Sequence, residues 1–280
     1  MGVSKLNEPG GLIYADKESL THLCNSILSK GVPTLLGRLS TDDHSIDVFS
    51  ELASKRGLIF KIPNTGSPYV EICSSWDDYF QQLSSRRRQD FRRARRRLSD
   101  QGEVSVDFYC PDQTKLNRLL EDVFQVEQAN WKGRNKSAVN YRPDLKRFFT
   151  VYCRHLCQSG DLFVSTLRLN RQMIAVQLLA QHANRWWVLK IGYDERWAKF
   201  SPGMQLMFET IREAFKRNLT AFELLGTEEK WIDIWPHKTH QFTTLVYFPF
   251  NLRGLGALIA EAGYKCLSQV WRSDYLSKKT

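Results

Sequence analysis

Residues 192–206 read GYDERWAKFSPGMQL, and the fold turns on what this stretch joins. Ahead of it, RWWVLKIGY (185–193) alternates like a half-buried strand. Behind it, MQLMFETIREAFKRN (204–218) carries apolar residues at helical spacing. Ser201 is placed to cap that helix, Pro202 suits its first turn, and Gly203 lets another group come close to the backbone. The N-terminus of such a helix presents unpaired N–H groups and the positive end of a dipole, which suits a phosphate. On its own, Ser-Pro-Gly before an apolar run is no more than a good helix start.

The segments around it enlarge the picture. LFVSTLRL (162–169) and MIAVQLLAQH (173–182) precede the 185–193 strand, with Arg171-Gln172 and Ala183-Asn184 at the reversals, an antiparallel meander. Downstream lie a strand AFELLG (221–226), an irregular aromatic segment (228–240), a strand QFTTLVYF (241–248) and a C-terminal helix placed roughly at Leu255 to Leu276. Upstream, GLIYA (11–15), VPTLLGRL (32–39), RGLIFKIP (56–63) and SPYVEI (67–72) read as four strands, with helices over Lys17–Ser29 and Asp43–Lys55. Ser75 caps a helix with acids in its first turn, EVSVDFY (103–109) is a further half-buried strand, and helices are expected over Thr114–Trp131 and Pro143–Gln158. This mixture places the chain in the α/β (α+β) class.

The chain's formal charge of +10 raises the prior for a polyanionic partner. The basicity is local, however. Ser84–Leu98, SSRRRQDFRRARRRL, holds eight arginines and one aspartate, hence +7, and leaves +3 for the other 265 residues. Phe91, Ala94 and Leu98 are spaced i, i+3, i+7, with Leu83 eight residues before Phe91, so one narrow apolar stripe runs down a helix that Gly102 ends. A solvated surface helix and a helix facing an anion both fit this pattern. The six cysteines (Cys24, Cys73, Cys110, Cys153, Cys157, Cys266) form no C-x-x-C pair and read as reduced core thiols of a cytoplasmic protein. Cys153 and Cys157 share a helix face, but His155 points elsewhere, so CRHLC is no zinc motif. No apolar run reaches the ~18 residues of a membrane span.

WKGR (131–134), IAVQLLAQHANRWW (174–187), GYDERWAKFSPGMQLMFETI (192–211) and ELLGTEEKW (223–231) together resemble the cellulose-biosynthesis-associated acetyltransferase family. That family is a branch of the GNAT superfamily related to the Fem-type aminoacyltransferases. The resemblance covers roughly Trp76 to Phe248, and it includes the arginine run, since family members commonly carry a basic helix there. It implies a GNAT-like mixed, largely antiparallel sheet flanked by helices over residues 75–280, preceded by a truncated GNAT-like half over residues 1–74. In the last motif the family's aromatic and lysine are exchanged, as Lys230-Trp231.

The implied chemistry is direct acyl transfer from acetyl-CoA or another acyl-CoA to an amine of a small-molecule, saccharide or peptide acceptor, in a protein associated with polysaccharide biosynthesis. Two alternatives stand beside it. One is a Fem-like transferase using aminoacyl-tRNA, with the arginine helix on RNA; the other is a degenerate scaffold acting as a basic adaptor. Direct transfer needs alignment, a base for the amine and a donor for the carbonyl oxygen. The resemblance puts the carbonyl at the backbone of Lys190, Ile191 and Gly192, and the donor's pyrophosphate at Lys199, Phe200, Ser201, Pro202, Gly203, Met204 and Gln205. Glu127, Asp194 and Glu228 are the candidate bases, against bland readings as a surface glutamate, a turn residue and a cap. Tyr193 is the candidate acid for the leaving thiolate, or half-buried packing. Trp131, Arg134 and Gln177 are candidates for the acceptor pocket, though Gln177 could equally bond across strands.

Overall fold

The computed structural model describes residues 9–129, 138–226 and 229–263. The chain forms two compact units, one of Met1–Ser67 with His240–Thr280 and the other of Pro68–Thr239. This boundary lies a few residues ahead of the 74/75 division read from the sequence, and it assigns the last strand to the first unit because that strand pairs there.

In the first unit, α1 (Lys17–Ser29) begins at Asp16, whose carboxylate and backbone exchange hydrogen bonds with Ser19 in a capping box. β1 (Thr34–Ser40) pairs antiparallel with β8 (Lys238–Pro249), and β2 (Gly57–Glu71) neighbours β8 in the strand order. With α2 (His44–Ser54), α1 buries Leu20, Cys24, Leu28, Phe49 and Ala53 against Leu245 and Tyr247. GLIYA forms no strand: only Gly10 bridges, to Leu39, so the segment lacks the partner that alternation alone cannot supply. RGLIFKIP and SPYVEI are one strand rather than two, with Pro63 and Pro68 inside β2. A helix runs over 252–263, and the rest of the expected C-terminal helix lies outside the described residues.

The second unit carries the meander. β3 (Val104–Tyr109), β4 (Leu162–Leu169), β5 (Gln172–His182) and β6 (Arg185–Tyr193) pair antiparallel in sequence order. Both tight reversals have two central residues at positive φ, Asn170 (47°) with Arg171 (68°) and Ala183 (49°) with Asn184 (56°), the twist-matched hairpin geometry. The first reversal is therefore Asn170-Arg171, one residue earlier than expected. β7 (Ala221–Glu223) joins β6 in parallel, and the end of β2 closes that side antiparallel to β7. On one face α5 (Gln113–Gln128) and α6 (Pro143–Ser159) bury Leu120, Val123, Phe124 and Phe149 against Val164, Val176 and Leu178. On the other, α7 (Pro202–Lys216) packs Met207, Ile211 and Phe215 on Leu179, Trp186 and Phe222. α5 ends at Gln128 with Ala129 as its cap, and the last two residues expected for it, Asn130 and Trp131, lie outside the described residues.

Against α7 lie α3 (Trp76–Gln82) and the arginine helix, α4 (Ser85–Ser99). The apolar stripe is real but does not run down one helix. Leu83 is extended and Ser84 starts α4 afresh, accepting from the Arg87 amide. Arg88 Nη1 donates to the carbonyls of Gln81 (3.0 Å) and Leu83 (2.6 Å), so one arginine of the run closes the end of α3. α4 stops at Ser99 with Asp100 as its cap, ahead of Gly102. Phe91 packs tilted against Phe208 at 4.9 Å and stacks on Trp235 at 5.3 Å, and Leu98 is wholly buried among Leu167, Leu169, Phe200 and Leu206. Leu98→Ala is expected to cost about 2–5 kcal/mol in urea unfolding. Arg93→Gln, at an exposed position, is expected to stay within about 0.5 kcal/mol. Equal effects would mean the stripe does not anchor the helix.

Cys24, Cys153 and Cys157 are buried free thiols, whereas Cys73 and Cys110 are free but exposed, so the reading of core cysteines fails for those two. Among the described residues no helix is long and apolar enough to cross a membrane.

Candidate functional site

Three features of the second unit converge at the end of β6. The first is a bulge. Leu178 pairs with Lys190 and Leu179 with Val188, so Leu189 is an extra residue that bends β6 and re-aims its C-terminal residues. The second is a parting of strands. β6 pairs with β7 only from Arg185 to Trp187, and its continuation through Lys190, Ile191 and Gly192 runs on beyond β7. The third is the start of α7, which β6 reaches through a 3-10 segment, Glu195–Phe200.

That start differs in one respect from the sequence reading. Ser201 does cap the helix with its backbone, accepting from the Gln205 amide at 3.0 Å, but its side chain makes no capping bond. It sits at φ 51°, ψ 51°, a left-handed conformation costing of order 1 kcal/mol outside glycine. Pro202 follows at the first helical position, and the amides of Gly203 and Met204 precede the first intrahelical acceptor. Gly203 lies against the Tyr193 ring, where an added Cβ would stand 3.1 Å from Cδ1, so the group that approaches it is this tyrosine. Lys199 lies over the buried Phe200 ring at 4.9 Å, a cation beside the helix's positive end. Gln205 is buried in the following turn and donates to the Phe200 carbonyl at 2.7 Å.

Glu127 is the least expected element. The surface reading does not describe it: the residue is 2% exposed near the end of α5. Its Oε2 accepts from the Val139 amide at 2.8 Å and its Oε1 faces Lys190 Nζ at 3.4 Å. Lys190 is also held over the Phe149 ring at 4.9 Å. Gly192 makes this possible, because an added Cβ would meet Glu127 Cα at 2.8 Å and Glu127 N at 3.0 Å. The helix backbone thus rests directly on the strand, which brings a carboxylate and an ammonium to the place where the strands part.

The other candidates separate. Asp194 is engaged as a cap, accepting from the Arg196 amide at 3.0 Å and from its guanidinium at 2.6 Å. The Arg196 hydrogen bond holds its carboxyl below the usual aspartate range. Gln177 is buried on the α7 face of the sheet, where it accepts from Ser165 and contacts Met207 Sδ, and Thr210 donates to Ser165. That network accounts for its amide as cross-strand and core bonding. Trp131, Arg134 and Glu228 lie outside the described residues. Tyr193, Gly192, Lys190 and Glu127 come together with the start of α7. Among the described residues no group of three or more His, Cys, Asp or Glu side chains is arranged to hold a metal ion.

Lys190 is expected from sequence for its backbone alone; its ammonium is the partner of Glu127, a pairing of residues 63 positions apart that spacing does not signal. Nor does the arginine count distinguish which arginines of α4 turn toward α7: Arg92, Arg95 and Arg96 line one cleft with Gln205. Their i, i+3, i+4 spacing was the available signal.

A meander whose last strand bulges and parts from a parallel neighbour at a helix N-terminus is a frame, and the class of protein follows from the family the chain matches rather than from the frame alone. Residues 85–233 match the family described as "Acetyltransferase (GNAT) domain", and the chain belongs to that family. The fold recurs in solved structures at low identity. FemX is 14% identical with a TM-score of 0.57, covering 84% of this chain and 79% of its own. A conserved protein of unknown function from Bacteroides thetaiotaomicron is 11% identical with a TM-score of 0.56, covering 84% and 76%. L-PGS from Bacillus licheniformis is 13% identical with a TM-score of 0.53, covering 87% and 75%. No curated protein matches the chain.

Proposed function

We propose that this acyltransferase takes its acyl group from acyl-CoA and passes it directly to an amine. The observation that carries the reading is the start of α7, where a left-handed Ser201 followed by Pro202 leaves the Gly203 and Met204 amides ahead of the first intrahelical bond, at a positive helix end beside the parting strands. These residues fit the pyrophosphate of a CoA. The Ser201 hydroxyl and the amides of Gly203 and Met204 would hold it, with Lys199 adding charge, while Gln205, bonded to Ser201 and Phe200, braces the turn. The donor supplies a thioester carbonyl already activated for attack. The β6 backbone over Lys190 to Gly192 orients that carbonyl and polarises its oxygen. Glu127 takes the proton from the attacking amine at a carboxylate oxygen, and Lys190 orients that carboxylate. The Tyr193 hydroxyl gives a proton to the departing sulfur. The acceptor is an amine of a small molecule, saccharide or peptide, with Trp131 and Arg134 lining its pocket; Gln177 is left to the core. A cytoplasmic location and a place in polysaccharide biosynthesis accompany this reading.

The test is thermal. Ligand at hundredfold excess over Kd adds about 2.7 kcal/mol, several degrees in Tm. Acetyl-CoA or a longer acyl-CoA is expected to raise Tm, and Gly203→Asp, which sets a carboxylate at the anion-binding end, is expected to abolish that rise. Absence of a rise with any acyl-CoA would end the donor assignment.

A second reading, an aminoacyl-tRNA donor, draws on the exposed arginines of α4. It requires RNA affinity that falls steeply with salt and collapses in Arg92, Arg93, Arg95 and Arg96→Gln while any acyl-CoA response survives. A basic adaptor without chemistry is opposed by family membership, and turnover of a thioester with any amine would dispose of it.

A further inference from the structure

The arginines of α4 take no part in the chemistry above, and the fold treats them unlike its others. Among the described residues Arg142, Arg168, Arg185, Arg196, Arg212 and Arg217 each meet a carboxylate, and none of the eight in α4 does. Arg88 is spent on the end of α3. Arg86, Arg92, Arg93, Arg96 and Arg97 are exposed and fan out on the side of the helix opposite Phe91 and Leu98. At the helical rise they make a cationic ridge about 16 Å long. Like charges held this close repel one another until an anion joins them.

Beside the ridge lies the cleft between α3, α4 and α7. Arg92, Arg95 and Arg96 line it together with Phe80, Phe91 and Phe208, and its volume is about 330 Å³. Its one carboxylate, Glu209, is paired with Arg212 at 2.8 Å. The rings are already matched to neighbours. Trp76 stacks on Phe80 at 5.8 Å, Arg92 lies over the same ring at 5.8 Å, and Phe91 stacks on Trp235 and packs tilted against Phe208. A hollow built from such rings presents hydrocarbon rather than open ring faces.

We propose that the ridge and the cleft together dock the chain on the surface of an anionic phospholipid bilayer. Lipid phosphates lie along the ridge, and the apolar part of one lipid enters the cleft past Arg92 and Arg96. Three considerations choose this partner. The ridge is the convex outside of one helix, so it meets an extended surface and encloses no small anion. An RNA strand would supply the charge, but its bases need free ring faces to stack on, and here those faces are taken. An acidic polymer without an apolar part leaves the cleft empty. The association is peripheral, since among the described residues no helix is long and apolar enough to cross a membrane. It does not depend on which acyl donor the enzyme uses.

Sedimentation of the full chain with vesicles tests the ridge. Vesicles of phosphatidylcholine with one quarter phosphatidylserine are expected to carry the chain down, vesicles of phosphatidylcholine alone are not, and binding is expected to fall as salt rises. An arginine near such a surface is worth about fivefold in partitioning, so Arg93→Gln with Arg97→Gln is expected to weaken binding about 25-fold with Tm unchanged. Arg118→Gln with Arg147→Gln removes the same charge from exposed positions of α5 and α6, across the sheet, and is expected to bind like the parent. Calorimetry with octyl phosphate below its micelle concentration tests the cleft. It is expected to bind at least about tenfold more tightly than inorganic phosphate, and to be lost in Arg92→Gln with Arg96→Gln, which leaves the rings in place. The proposal is overturned if no vesicle binds, if neutral vesicles bind as well, or if the α5 and α6 pair weakens binding as much as the α4 pair. It is equally overturned if octyl phosphate is held no better than phosphate, or if RNA binds and vesicles do not. Failure of the acyl-CoA titration would remove the donor assignment and leave vesicle binding standing.

Discussion

Glu127→Gln is expected to lower kcat about 10²–10⁴-fold, the range for loss of a positioned base, while the Tm rise with acyl-CoA is retained. The change keeps the side chain's shape. An amide oxygen still accepts from the Val139 amide, so the end of α5 stays anchored. What disappears is the capacity to hold a proton and the charge opposite Lys190 Nζ. A loss confined to kcat, with the donor response intact, separates this role from a structural one. A variant that keeps the parent's kcat moves the base to another carboxylate. Asp194 makes a poor replacement. Its pKa is depressed by Arg196, so it contributes stability above the ordinary aspartate range and gives it up only as pH falls through its lowered value. Near neutrality it neither titrates nor stands free of the guanidinium. Glu228 would then be the carboxylate to replace next.

Legibility in the sequence depends on where the information sits. α1 and α6 are local objects: the Asp16 box and Pro143 at the first turn of α6 are written in adjacent residues, and both helices lie where the sequence places them, over Lys17–Ser29 and from Pro143 to within a residue of Ser159. The meander was legible for the same reason, since two-residue reversals constrain their own flanks. β2 was not, because Pro63 and Pro68 read as breakers until pairing with neighbouring strands shows that the run continues through them. The site divides in the same way. The start of α7 announces itself through Ser-Pro-Gly, although the strained Ser201 backbone does not. Glu127 looks like a surface residue in its own helix, and its burial depends on a glycine 65 positions later. Period-based reading cannot supply that contact.

That glycine carries the second large effect. Gly192→Ala is expected to destabilise the fold by about 1–3 kcal/mol in urea unfolding, as overpacking does, and to cut kcat by about 10²-fold, the scale of a 1 Å misplacement. The atoms an added methyl would meet are Glu127 Cα at 2.8 Å and Glu127 N at 3.0 Å. These are helix backbone, not the yielding end of a side chain. β6 is hydrogen-bonded along β5 through this point, with Gly192 opposite Val176, so the strand cannot retreat alone. α5 must lift instead, and it is held by Leu120, Val123 and Phe124 in the core beneath it. Lifting α5 draws the carboxylate away from Lys190 and from the backbone where β6 parts from β7. The combination is informative because a core variant of comparable or larger cost that lies away from the site, such as Leu219→Ala beyond the far end of α7, should leave kcat near the parent value at temperatures where both remain folded. Matching losses of kcat in the two variants would mean that activity follows stability alone, and that the contact between Gly192 and Glu127 does not set the position of the base.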